Sequence, residues 1–272
     1  MRRMQVQGAV LVVTGGGNGI GRQVVLELLR RGARVAAVDL REDGLAATAS
    51  LAGAGERLST HAIDVTDASV VEHLPEQVIE AHGSVDGLVN VAGVIQKFVP
   101  FVELDRAEME RVVAVNLWGV VNTCHAFLPH LLSRPSASVV NVASMGGLAP
   151  VPGQTIYGAS KAAVKLLSEG LYAETQGTKV AVTTVFPGGV ATDIAGNSGA
   201  AMPGQAERAG DPASRLTTAE SAAQQIVDGI EQGAFRVVIG NDAKMIDRFS
   251  RLAPRRAVET IARRMASLIS PH

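Results

Sequence analysis

The sequence predicts an α/β fold in which a doubly wound parallel sheet is covered by helices on both faces. Continuous apolar runs of strand length alternate along the chain with stretches of helical periodicity. A glycine-rich turn follows the first run, and polar or small residues follow the carboxyl ends of the later ones. In such a sheet those ends share one edge, where ligands bind, so we expect one functional site at that edge.

Composition is consistent with a single large unit. The 272 residues can bury a sizeable core, and 47% of them are hydrophobic against 19% charged. The formal net charge of -1 gives no basic excess for nucleic acid. The lone Cys124 excludes an internal disulfide and suits a reducing cytoplasm, where we expect the protein to act.

Three further features are expected to be absent. The apolar run at residues 8–13 is too short for a signal peptide, and no apolar run reaches the roughly 18 residues that a transmembrane helix needs. The histidines lack metal-binding spacing with acidic or cysteine neighbours, so we expect no metal site.

The first strand, at residues 9–13, leads into a glycine turn. Gly15, Gly19 and Gly21 follow in G-x-x-x-G-x-G spacing, with a helix to about Arg31. Backbone amides of such a turn can approach a pyrophosphate at the helix N-terminus, where the helix dipole favours anions. A glycine turn without a ligand is the alternative.

The second strand, at residues 34–38, ends in Asp39, which lies 20 positions after Gly19. An acidic residue at about this distance typically accepts hydrogen bonds from the adenosine ribose. A carboxylate there would repel a 2′-phosphate, which favours NAD over NADP, although Arg41 is nearby. The alternative is that Asp39 is an acidic loop residue in contact with solvent and has no role in binding.

The third strand, at residues 58–63, precedes Asp64 and Val65, which are placed to bracket an adenine ring. A helix at about 67–81 follows, and then a fourth strand at 87–89. That strand ends in residues 90–93, where small side chains allow close approach of a cofactor. A long helix at about 106–132 contains Asn116 in an apolar stretch, where its polar side chain needs partners.

The fifth strand, at residues 137–142, delivers Ser144, and the next helix carries Tyr157 and Lys161. Residues four apart lie on one helix face, so the ammonium could bias the phenol towards phenolate. A tyrosine shifted in this way is a useful proton donor and acceptor. A solvated lysine beside a half-buried tyrosine is the alternative for this pair alone. A sixth strand (180–186) runs into Pro187, and a seventh (235–239) follows a helix beginning near Thr218.

These motifs together resemble the short-chain dehydrogenase/reductase family over residues 8–240. The matching elements are Thr14-Gly15-x-x-x-Gly19-x-Gly21, Asn90-x-Ala92-Gly93, Asn116, Ser144, Tyr157-x-x-x-Lys161 and Pro187-Gly188. One departure is Val91, where the family often repeats asparagine.

The resemblance implies a Rossmann-type three-layer sandwich with a seven-stranded parallel sheet in the order 3-2-1-4-5-6-7. It also implies a catalytic tetrad of Asn116, Ser144, Tyr157 and Lys161. Tyr157 would be the acid/base, Ser144 would orient the substrate oxygen, and Asn116 would hold a water. Lys161 would bind the nicotinamide ribose and lower the pKa of Tyr157. The residues expected to bind the cofactor NAD are Gly15, Asn18, Gly19, Ile20, Gly21, Asp39, Asp64, Val65, Asn90, Ala92, Gly93, Tyr157, Lys161, Pro187, Gly188, Val190 and Thr192.

The expected substrate is an apolar secondary alcohol or ketone, because the pocket segments 94–102 and 145–155 are mostly apolar. The same residues could line a subunit interface. A third segment, 194–216, is rich in glycine and is expected to act as a lid that orders on ligand binding.

Residues 1–240 are expected to form the catalytic domain and 241–272 a basic amphipathic helical extension. From Pro254 onward, apolar residues recur at helical spacing opposite arginines. We expect this helix to pack on its own fold or on another subunit, with peripheral contact to a membrane through 254–272 as the alternative. The family resemblance implies a homodimer or homotetramer with helices 106–132 and 155–175 at the interface.

Three function classes remain open on the sequence alone. The first is an NAD-dependent oxidoreductase, which the intact tetrad favours. The others are an NADP-dependent ketone reductase and a non-catalytic dinucleotide-binding sensor or lipid-associated protein.

Overall fold

A computed structural model describes residues 3–200 and 216–269. Its strands are β1 Val10–Thr14, β2 Arg34–Asp39, β3 Leu58–Ala62, β4 Gly87–Asn90, β5 Ala137–Val142, β6 Val180–Pro187, β7 Val190–Ala191, β8 Thr217–Thr218 and β9 Arg236–Ile239. The main sheet has seven parallel strands in the order β3-β2-β1-β4-β5-β6-β9, which confirms the predicted fold class and strand order. Strands β7 and β8 form a separate parallel pair.

The helices of the described residues cover both faces of this sheet. They are α1 Gly19–Arg30, α2 Glu42–Ala52, α3 Ala68–Val71, α4 Leu74–His82, α5 Arg106–Val113, α6 Gly119–Leu132, α7 Thr155–Glu174, α8 Ile194–Asn197, α9 Ala219–Gln232, α10 Asn241–Leu252 and α11 Pro254–Arg264. Helix α1 packs against α9 on one face, and α4, α6 and α7 lie on the other.

The side chains of β1 alternate between the two faces of the sheet, which explains why this strand is a continuous apolar run in the sequence. Leu11 and Val13 belong to the core on the α1 side, whereas Val10 and Val12 belong to the core on the α6 side. All four are buried, because a sheet covered on both faces requires apolar side chains in both directions.

Two predicted helices differ in detail from the observed ones. The helix expected at 67–81 is divided into α3 and α4, and Pro75 lies in the first turn of α4, a position that tolerates a residue without a backbone N–H. The helix expected at 106–132 is continuous, but Ala114–Trp118 adopts a π-helical turn between α5 and α6. Such turns are rare and frequently lie at functional sites.

The stretch Arg106–Leu132 is long and apolar enough to cross a membrane by length and composition alone. Its Val120, Phe127 and Leu131 are nevertheless buried in the core beside the sheet. Core packing therefore accounts for part of its apolar character.

The C-terminal extension packs on the fold. Ala243, Ala257 and Leu268 are buried, and Arg236 at the start of β9 forms an ion pair with Asp247 of α10. Helix α11 ends at Arg264, before the last residues of the predicted apolar stripe. Val258 from that stripe is exposed.

Candidate active site

The glycine turn after β1 requires residues without a side chain. Gly15 and Gly19 both have positive φ angles, of 71° and 51°. A Cβ at Gly15 would lie 2.9 Å from the backbone nitrogen of Ala92, and one at Gly21 would collide with the carbonyl of Gly15. The turn therefore approaches both the Ala92 backbone and the start of α1, and it leaves the helix N-terminus open to an anion.

Two side chains that are not among the predicted site residues fix this turn. The hydroxyl of Thr14 accepts hydrogen bonds from the N–H groups of Val91 (3.1 Å) and Ala92 (3.2 Å), which ties β1 to the end of β4. Arg22 donates to the carbonyl of Gly17 and, through Nε, to the hydroxyl of Thr48 at 3.0 Å. The turn is thus held in place by bonds within the protein.

Asp39 lies at the end of β2, with both carboxylate oxygens directed by backbone groups. Oδ2 accepts from the N–H of Gly17 at 2.9 Å, and Oδ1 accepts from the N–H of Arg41 at 3.1 Å. The guanidinium of Arg41 is itself paired with Asp43. Asp39 therefore presents a fixed carboxylate beside the glycine turn. Its remaining lone pairs can accept hydrogen bonds from ribose hydroxyls.

A groove runs along the carboxyl ends of the strands past this carboxylate. Eleven of the predicted cofactor residues line it: Gly15, Asn18, Gly19, Ile20, Gly21, Asp39, Asp64, Val65, Ala92, Gly93 and Thr192. Residues that the sequence did not single out as site residues also line it, among them Leu40, Ile63 and Val115. The glycine turn at one wall and the Asp39 carboxylate beyond it are suited to the pyrophosphate and ribose of a dinucleotide.

Asn90 is placed differently from the other predicted cofactor residues. Its side chain does not line the groove but donates to Asn141 at 2.9 Å and accepts from the hydroxyl of Thr123 at 2.8 Å. Asn141 in turn donates to Ser168 of α7 at 3.0 Å. This buried polar network links β4 and β5 to α6 and α7, so the side chain of Asn90 holds the scaffold under the site.

Ser144 and Tyr157 meet beyond the end of β5. The hydroxyl of Ser144 accepts from the N–H of Gly146 at 3.0 Å, and a Cβ at Gly146 would lie 3.3 Å from the Tyr157 ring. Burial raises the pKa of the Tyr157 phenol, and its hydrogen bond to Ser144 acts in the opposite direction. The expectation that Lys161 lowers this pKa concerns the site with bound nicotinamide and stays a prediction.

Lys161 is almost fully buried, with 3% of its surface exposed. Its Nζ donates to the carbonyl of Val142 at 3.0 Å, and burial lowers its pKa to about 8. A Cβ at Gly93 would lie 3.1 Å from this Nζ, so Lys161 reaches the wall of the groove.

Asn116 lies in the π-helical turn and is fully buried. Its Oδ1 accepts from the N–H of Val94 at 2.8 Å, and its Nδ2 donates to the Val94 carbonyl at 2.9 Å and to Ser160 at 3.1 Å. The side chain therefore joins the segment after β4 to the helix that carries Tyr157 and Lys161.

Gln96 is a second link between the segment after β4 and α7, and it was not among the predicted site residues. Its Oε1 accepts from the N–H groups of Ile156 (2.8 Å) and Tyr157 (3.0 Å). No sequence pattern indicated these hydrogen bonds, because Gln96 and its partners on α7 are about 60 residues apart in sequence.

The loop after β6 closes the other end of the site. Pro187 ends β6 beside Ile239, and Thr192 lies against the glycine turn, 3.4 Å from where a Cβ of Gly19 would be. Val190 belongs to β7.

Asp242 at the start of α10 accepts from the N–H of Gly189 at 2.7 Å and packs against Gly188. Asp242 is another residue that the sequence did not single out.

Apolar residues gather beside Tyr157 on the substrate side. Ile95, Ala195 and Ala200 are buried together, and Phe98, Ile194 and Tyr157 pack against them. Parts of the expected pocket segment 94–102 and of the predicted lid therefore meet at the tyrosine. Most of the predicted lid lies outside the described residues. Its first part is tied down, because the hydroxyl of Ser198 accepts from the N–H of Ile95 at 3.0 Å.

No cluster of three potential metal ligands occurs within residues 3–200 and 216–269.

Comparison with known proteins gives consistent matches. A family model described as short chain dehydrogenase matches residues 9–203. A Mycobacterium tuberculosis protein named putative oxidoreductase SadH is 36% identical over 255 residues, which cover 90% of this chain and 91% of that protein. The Thermotoga maritima protein FabG, named 3-oxoacyl-(acyl-carrier-protein) reductase, is 32% identical over 192 residues, or 70% of this chain and 78% of that protein.

A solved structure shows the same architecture. The crystal structure of a Burkholderia phymatum short chain dehydrogenase/reductase in complex with NAD superposes with a TM-score of 0.82 at 27% identity. The match covers 94% of this chain and 97% of that one.

Proposed function

Since the chain belongs to the short-chain dehydrogenase family of oxidoreductases, we propose that it is an NAD-dependent enzyme acting on secondary alcohols or ketones with apolar substituents. The observation that carries this proposal is the hydrogen bond between Ser144 and Tyr157, one turn of α7 from Lys161, whose ammonium lies at the wall of the dinucleotide groove. Gly93 belongs to the groove and lies against Lys161, so cofactor and acid/base would be adjacent.

The chain's own residues supply orientation and a proton. In the reduction, the phenol of Tyr157 donates its proton to the substrate carbonyl oxygen, and in the oxidation its phenolate accepts one from the alcohol. Ser144 orients that oxygen, and Lys161 would hold the nicotinamide ribose and favour the phenolate. Bound nicotinamide supplies or accepts the hydride.

The choice of NAD rests on the end of β2. Asp39 would accept the ribose hydroxyls, whereas a 2′-phosphate in that place would face its carboxylate. The nearby cation, Arg41, is engaged by Asp43 and is less available to a phosphate. The related Burkholderia phymatum structure contains NAD, which is consistent with this choice.

The substrate class rests on the apolar surface beside Tyr157. Ile95, Phe98 and Ile194 belong to an apolar cluster that packs against Tyr157, which favours apolar substituents on the substrate. The name of the Thermotoga maritima relative refers to a ketone carried on an acyl chain, which supports an apolar ketone without identifying it.

The test is turnover with each cofactor across a panel of secondary alcohols and ketones that range from small polyols to acyl derivatives. Turnover with NAD that is abolished in Tyr157→Phe, while that variant still binds NADH, would support the proposal. Preference for NADP would overturn the interpretation of Asp39. Tight NADH binding without turnover on any substrate would favour the non-catalytic sensor.

A further inference from the structure

We propose that Gln96 is a positioning residue for the acid/base tyrosine, because it caps the catalytic helix α7 from a different segment of the chain. The inference rests on the proposed function for its kinetic consequences, but its geometry is independent of the substrate. The Oε1 atom of Gln96 lies 2.8 Å from the backbone nitrogen of Ile156 and 3.0 Å from that of Tyr157.

The first turn of a helix has N–H groups without a partner inside the helix. Usually the side chain of the residue just before the helix accepts from them. In α7 that residue is Gln154, and it makes no such capping bond. Gln96 takes over this role across 60 residues of sequence, and one of its two bonds is to the backbone of Tyr157 itself. The backbone position of the tyrosine therefore depends directly on Gln96.

Gln96 is itself held on both sides. The Nε2 of Gln154 donates to the backbone carbonyl of Gln96 at 2.7 Å, and both glutamines are buried. Two residues earlier, Val94 exchanges two backbone hydrogen bonds with the side chain of Asn116. The short segment 94–96 thus connects Asn116 to Tyr157 and sets the distance between them.

The arrangement carries a free-energy cost. Within the described residues, Nε2 of Gln96 and Oε1 of Gln154 are buried and have no hydrogen-bond partner. An apolar side chain at position 96 would avoid this cost, but it would leave the N–H groups at the start of α7 unpaired. Retaining a buried amide here is consistent with a requirement for a fixed tyrosine backbone.

Gln96→Met and Gln96→Glu separate positioning from packing. Methionine has nearly the same length and no strong acceptor, whereas glutamate retains an oxygen in the place of Oε1. We expect Gln96→Met to lower kcat by roughly ten- to a hundred-fold without weakening NADH binding, because a displaced proton donor slows only the chemical step. We expect Gln96→Glu to restore most of kcat.

Asp67→Ala is the matched control. Asp67 caps α3 by accepting from the N–H groups of Ser69 and Val70, at 3.0 and 3.3 Å, and it is exposed. Its removal deletes the cap of a helix that does not carry Tyr157. Asp67→Ala should therefore lower thermal stability and leave kcat unchanged. An equal fall of kcat in Gln96→Met and Asp67→Ala would overturn the proposal, as would an unchanged kcat in Gln96→Met.

A second readout does not need turnover. The chain has two tyrosines, so in a Tyr172→Phe background an ultraviolet difference titration reports Tyr157 alone. Burial raises the pKa of Tyr157, and a loosened helix start should let water in and lower its titration midpoint. A lower midpoint in Gln96→Met, with none in Asp67→Ala, supports the proposal even if no substrate is found. An unchanged midpoint in Gln96→Met overturns it.

Discussion

Replacing Lys161 by methionine should stabilise the protein near neutral pH while abolishing its activity. The ammonium is buried with one hydrogen bond, to the carbonyl of Val142, and burial lowers its pKa from 10.5 to about 8. Each pKa unit corresponds to about 1.4 kcal/mol, so the charged form costs roughly 3 kcal/mol relative to its cost in the unfolded chain. Methionine of similar length removes that charge.

Part of this gain is offset, because the Val142 carbonyl loses its donor at a cost of about 1–2 kcal/mol. A net stabilisation of about 1–2 kcal/mol remains, which corresponds to a rise in Tm of roughly 2–6 °C for a chain of this size. Activity should fall by at least roughly a hundred-fold, since Tyr157 loses its neighbouring cation.

The dependence of stability on pH distinguishes the removal of a buried charge from a change in packing. The folded pKa of Lys161 is lower than the unfolded one, so between about pH 8 and 10.5 the unfolded chain binds more protons and wild-type stability gains with rising pH. The advantage of Lys161→Met should therefore be largest below pH 8 and should shrink above it. Urea unfolding at a series of pH values measures this. A variant less stable than wild type near pH 7, or a difference that does not change with pH, would refute the reasoning.

Three further predictions concern other parts of the molecule. Burial lowers the pKa of His61 and His82, so their contribution to stability is present above about pH 6.5 and lost as pH falls through the folded pKa. Urea unfolding should show less acid sensitivity in His82→Gln. Leu166 is 67% exposed on α7, at the expected subunit interface, so Leu166→Arg should give a smaller species in light scattering. Ile269 packs against Gly153, so Ile269→Ala should raise kcat/KM for bulky ketones relative to small ones, and unchanged selectivity would contradict this.

The centre of the sheet could be predicted from the sequence because its strands β1, β4, β5 and β6 are buried on both faces. A run such as Val10–Thr14 has no polar face, and this distinguishes it from the helices around it. The break at Pro75 and the π turn at Ala114–Trp118 were missed for different reasons. The first depends on one residue within an otherwise helical pattern, and the second changes the hydrogen bonding of a stretch whose periodicity stays helical.

Residues of the site could be predicted where their position follows from the end of a strand. The strand-end rule, together with the glycine spacing and the 20-residue separation of Asp39 from Gly19, indicated Asp39, Ser144 and the glycine turn. The role of Gln96 does not follow from the end of a strand. Its capping role depends on how the segment after β4 crosses the start of α7, which is a property of the tertiary structure. Long-range hydrogen bonds of this kind leave no periodic trace in a sequence.

The C-terminal extension, least similar to the family in sequence, contacts the site from two directions. Asp242 accepts from the N–H of Gly189, in the loop that leads to Thr192, and Ile269 contacts Gly153 beside Phe98. Helix α10 also packs against the turn that follows Ser144. The extension therefore contacts both the loop that leads to Thr192 and the segment beside Phe98. Because the residues proposed for hydride transfer match the motifs that resemble the family, we expect differences in substrate size to arise from these contacts of the extension.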